Sequence, residues 1–115
     1  VKPFQTRFTV PVYNAKVVLV HDQDIHAARK RFDRIFEGPG PEGNCSAWVS
    51  YHLDRFGLFF QDNNCGLDTV SHELFHLTHR IMSWSGVEDE EAGAILHEWI
   101  CVRVFKLLRA HHWQR

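Results

Sequence analysis

The chain has 115 residues, 44% of them hydrophobic, which is enough for one compact domain over 1–115 with a real core and too little for a second. Lys and Arg number 13 against 14 Asp and Glu, a net charge of -1, so no global field draws the protein to nucleic acid or to an anionic membrane. No apolar run reaches the ~18 residues of a membrane span.

The segment from Phe8 to Val20 is rich in β-formers, is broken by Pro11 and Asn14, and reads as extended chain ending in a strand at Lys16–Val20. Asp22 and Asp24 are good helix caps. Ile25, Ala28, Phe32, Ile35 and Phe36 then recur at helical spacing until Gly38-Pro39-Gly40-Pro41 stops the chain. The basic residues Arg29, Lys30, Arg31 and Arg34 on this helix read as a solvated face. Ser46–Leu53 and Gly57–Gln61 look like two strands joined by a turn at Asp54-Arg55-Phe56.

Asp68 can cap a helix from Thr69, in which Val70, Leu74, Leu77, Ile81 and Trp84 repeat every three to four positions up to Ser85-Gly86. Ser85-Gly86-Val87-Glu88 reads as a capping box for a second helix running to about Arg109. Its interior from Ala92 to Leu108 is apolar on nearly every face, the mark of a largely buried helix. The expected fold is therefore α+β, with a small, mainly antiparallel sheet packed against helices.

Cys45, Cys65 and Cys101 match neither a zinc ribbon nor a C-x-x-C pair and read as reduced thiols of a cytoplasmic protein. The first twenty residues carry Lys2, Arg7 and Lys16 and no signal-peptide pattern, while the start at Val1 leaves open a leader removed before it. Nine histidines are the unusual number, because histidine is the commonest metal ligand.

His72-Glu73-Leu74-Phe75-His76 is an H-E-x-x-H sequence inside a predicted helix, the context this zinc motif requires. The two histidines differ by about 40° around the helix and about 6 Å along it, so both imidazoles can reach one ion. They face away from the apolar stripe. Zinc lowers the pKa of a bound water towards about 7, and Glu73 beside that water can take its proton during attack on a peptide carbonyl, then deliver it to the leaving amine.

A hydrolytic zinc site needs a third protein ligand. A third histidine six residues after His76 is absent, because Met82 stands there. His79 shares the histidine face, but three ligands at this spacing on one straight helix do not easily converge; it reads as a solvent-facing residue, with a substrate role as the alternative. Glu91 and Glu98 share a face of the following helix, and a buried carboxylate there would need a metal or a salt bridge to Arg80 or Arg103. Spacing alone does not choose between them.

With these residues in view, the chain resembles the gluzincin branch of zinc metallopeptidases. It looks most like the small H-E-x-x-H proteins encoded by phages and prophages, over about Leu67–Trp99 and on Thr69–His76 followed by Asp89-Glu90-Glu91-Ala92. The resemblance implies a minimal zincin-like fold and a third ligand at the acid before alanine, Glu91, with Glu98 in reserve. It departs from the family in the short span between His76 and Glu91 and in Ile95, which stands where an acid supports a histidine ligand.

The expected activity is zinc-dependent hydrolysis of a peptide or protein substrate, with Zn²⁺ held by His72, His76 and Glu91 and with Glu73 as general base. Gly57–Gln61, carrying Phe59 and Phe60, is the expected edge strand along which an extended peptide would pair. The alternatives are an inactive zincin-like module that binds metal for stability or interaction, and a metal-free regulatory protein using Arg29–Arg34. Neither specific nucleic acid nor membrane is an expected partner of the leading reading.

Overall fold

A computed structural model describes residues 3–22, 27, 30, 47–61 and 66–111. Strand β1 spans Phe4–Val10 and β2 spans Ala15–Asp22, so the expected extended segment folds as an antiparallel hairpin. Its turn places Val12 (φ 69°) and Asn14 (φ 53°) in the left-handed region, which asparagine tolerates and which strains a β-branched residue. Strand β3 spans Ala47–His52 and β4 spans Arg55–Gln61, paired antiparallel around the tight turn at Leu53 and Asp54.

The sheet order is β1-β2-β4-β3, with β2 and β4 parallel. Lys16 ties the start of β2 to the β3–β4 turn: its backbone N–H donates to the Asp54 carbonyl at 2.9 Å and its Nζ lies 2.7 Å from Asp54 Oδ2. The hydrogen bond from Lys16 holds the Asp54 carboxyl below the usual aspartate range. The expectation that Gly57–Gln61 forms the sheet edge is overturned. Strand β4 lies between β2 and β3, so its backbone groups are committed on both sides, and β3 is the edge among the described strands.

Helix α1 spans Leu67–Ser85 and α2 spans Glu90–Ala110. Their limits correct the capping expectations. Gly66 in extended conformation precedes α1 and places Asp68 in the first turn, where a negative charge meets the positive end of the helix dipole. At the far end Gly86 adopts φ 73°, and the N–H of Val87 closes on the Met82 carbonyl at 3.0 Å. The cap of α2 is Asp89, whose Oδ1 accepts from the Ala92 N–H at 3.0 Å, in place of the Ser85 box.

Both helices pack on one sheet face. Val17, Leu19, Phe56, Leu58 and Phe60 meet Val70, Leu74, Leu77 and Ile81 of α1 and Leu96, Ile100, Val104 and Leu108 of α2. Helix α2 buries only that four-residue stripe. Ile95 and Val102 point outward at 61% and 53% exposure, so the helix is one-sided rather than buried all round. Trp84, expected in the core stripe of α1, is exposed and meets Phe56 edge-on at 6.0 Å. On the opposite sheet face Val18, Val20, Trp48 and Phe59 are also buried, with Trp48 and Phe59 stacked at 5.0 Å.

The expected helix Ile25–Phe36, the Gly38–Pro41 loop, Cys45 and Cys65 fall outside the described residues, apart from Ala27 and an exposed Lys30. Among the described residues no helix is long and apolar enough to cross a membrane.

Candidate metal centre

The wheel of α1 distributes its residues by role. Val70, Leu74, Leu77 and Ile81 face the sheet, leaving His72 and His76 exposed on the far side. Glu73 lies about 100° from His72 around the helix and is buried to 8% exposure. Helix α1 packs against β3, and Arg80, about 20° from Glu73 around the helix, lies over Tyr51 of that strand.

The Nε2 atoms of His72 and His76 are 3.1 Å apart, with the rings edge-on at 75°. One ligand atom from each of His72, Glu73 and His76 lies within 4.8 Å of the other two. The donor set fits an ion: two imidazole nitrogens 3.1 Å apart, each at about 2.0–2.1 Å, subtend an angle of about 100°, near the tetrahedral value. Imidazole donors suit zinc, copper, iron and nickel alike, so the chemistry of the pair does not name the metal. Burial pushes the Glu73 carboxyl up from the usual glutamate value, and the charges of His72 and His76 pull it back in part. A buried carboxyl of raised proton affinity beside two metal-type donors is suited to accepting and returning a proton.

His79 is exposed against Phe75, its ring 5.5 Å away, and does not belong to the group of three. Glu91 and Glu98 are both exposed, so the expected cost of burying either carboxylate does not arise, and neither joins the group.

The helix pairing places these acids. Thr78 Oγ1 lies 3.0 Å from His97 Nδ1, and a Cβ at Gly93 would approach Met82 Sδ to 2.8 Å. Four steps along α1 thus match four steps back along α2, an antiparallel register that carries His76 level with Trp99 and Glu91 level with Trp84. Glu98 lies within one residue of the level of His76. Glu91 stands eight residues away, about 12 Å along the axis.

Sequence reasoning passed over His97. Thr78 donates its hydroxyl hydrogen to the Leu74 carbonyl at 2.9 Å, so it must accept from His97 Nδ1–H. His97 Nε2 is then the acceptor for the Cys101 thiol, 3.5 Å away. Burial pushes the Cys101 thiol up, which keeps it in the neutral form that this hydrogen bond requires. The available signal was a histidine four residues before a cysteine, one turn apart on a predicted helix.

No protein-family model matches the chain, and neither a curated protein nor a solved structure does. The site therefore stands on its own geometry: a His/Glu/His group on one helix, consistent with an H-E-x-x-H motif and able to hold a metal ion.

Proposed function

We propose that the chain is a zinc-dependent metallopeptidase of gluzincin-like type. The observation that carries this reading is the buried Glu73 carboxyl beside an exposed pair of imidazoles whose Nε2 atoms are 3.1 Å apart. His72 and His76 would hold the ion, which when bound supplies Lewis acidity to a peptide carbonyl and lowers the pKa of water. Glu73 takes the proton from the attacking water and passes it to the leaving amine, and its raised proton affinity serves both steps. Substrate would lie extended along the outer edge of β3, the strand beside α1, in place of Gly57–Gln61.

The third protein ligand is a carboxylate of α2. The resemblance assigns it to Glu91, with Glu98, which the helix register sets nearer to His76 along the axis, in reserve.

One observation favours a second reading. Glu73 itself has a carboxylate oxygen within 4.8 Å of both imidazoles, so it could complete a closed site that binds metal for stability without catalysis. The Glu73→Gln chain separates the two readings. For a peptidase it keeps its zinc and loses cleavage of a peptide library read by mass spectrometry; for a structural site it loses the zinc. Equal cleavage by wild type and variant would remove Glu73 from the mechanism.

A further inference from the structure

The α1–β3 flank carries a cation that the proposed chemistry does not use. Arg80 is exposed, with its Cζ 4.7 Å from the centre of the Tyr51 ring. Tyr51 pairs with Phe56 across β3 and β4 and so points to the helix side of the sheet. Arg80 follows His76 by one helical turn, about 6 Å along the axis, and lies within about 40° of both His76 and Glu73 around it. It therefore stands on the flank shared by Glu73 and the edge strand.

Arg80 makes no ion pair among the described residues. Five N–H donors are thus held over an aromatic face with no carboxylate to receive them. The ring occupies one side of the guanidinium and restricts its rotamers, which reduces the entropy lost when the fork meets a ligand.

Resting on the peptidase reading, we propose that Arg80, braced by Tyr51, is a specificity-determining residue that selects peptides bearing a carboxylate about two residues from the bond to be cut. The spacing follows from the 6 Å offset, since an extended peptide advances about 3.3 Å per residue. The charge follows from the planar fork, which matches a carboxylate in two parallel hydrogen bonds. An Asp or Glu side chain and a free C-terminus offer the same group, and the test separates them.

The full chain carrying Glu73→Gln is titrated, by fluorescence anisotropy, with three labelled octapeptide pools: internal Glu with an amidated C-terminus, internal Gln with an amidated C-terminus, and internal Gln with a free C-terminus. One carboxylate-bearing pool is expected to bind about tenfold more tightly than the neutral pool, and which one does so identifies the source. Arg80→Gln should abolish the preference, Arg80→Lys should restore part of it, and Tyr51→Ala should weaken it. Equal binding of all three pools, or a preference that survives Arg80→Gln, overturns the proposal. This equilibrium binding is read without cleavage, whereas failure of the peptidase reading appears separately, as absence of wild-type products in the library digest.

Discussion

Thr78 and His97 join the two helices through a hydrogen bond of 3.0 Å, and that bond fixes the level of α2 along α1. Thr78 is buried and its hydroxyl serves two partners at once. Thr78→Val would leave His97 Nδ1 without its acceptor in a half-buried position. A loss of about 1 kcal/mol in urea denaturation is expected, with a double-mutant coupling of similar size to His97→Ala. Independent, additive effects of the two substitutions would show that the bond does not link the helices.

The same register bears on the third ligand. If closeness along the axis decides it, Glu98→Gln should weaken zinc binding in a chelator competition by about tenfold or more and Glu91→Gln by much less, because Glu98 stands within one residue of the level of His76 and Glu91 two turns away. A larger loss in Glu91→Gln would support the residue that the resemblance implies and require the helices to approach each other near their shared turn.

Much of this was legible in the sequence, for physical reasons that differ by element. The histidine pair was legible because positions four apart on one helix are neighbours whatever the rest of the chain does. Gly86 ended α1 as expected because a left-handed residue is a local requirement. The edge strand was not legible: whether β3 or β4 lies outermost depends on β4 pairing with β2 across more than thirty intervening positions, and no local pattern encodes that choice. The one-sided burial of α2 was missed for a related reason, since Ile95 and Val102 are as apolar as Leu96 and Ile100, and only the packing direction separates them. The Thr78–His97 contact likewise depends on how the two helices are set against each other.

Val12 offers a test of the backbone away from the site. It is fully exposed and holds φ 69°, a conformation that costs a β-branched residue roughly 1–2 kcal/mol. Val12→Gly should relieve more strain than the added chain entropy costs, and should raise stability by about 0.5–1 kcal/mol in thermal or urea denaturation. A decrease of that size would place the turn in another conformation.

Metal content measures most directly whether His72 and His76 hold a metal ion together. Purified wild-type chain and the His72→Ala, His76→Ala and doubly substituted chains are dialysed against zinc and then against buffer, and zinc is counted per chain by elemental analysis. The expected result is one zinc per wild-type chain and little or none in any variant, because losing one imidazole leaves the ion underheld. Undiminished zinc in the doubly substituted chain, or none in the wild type, would contradict the site.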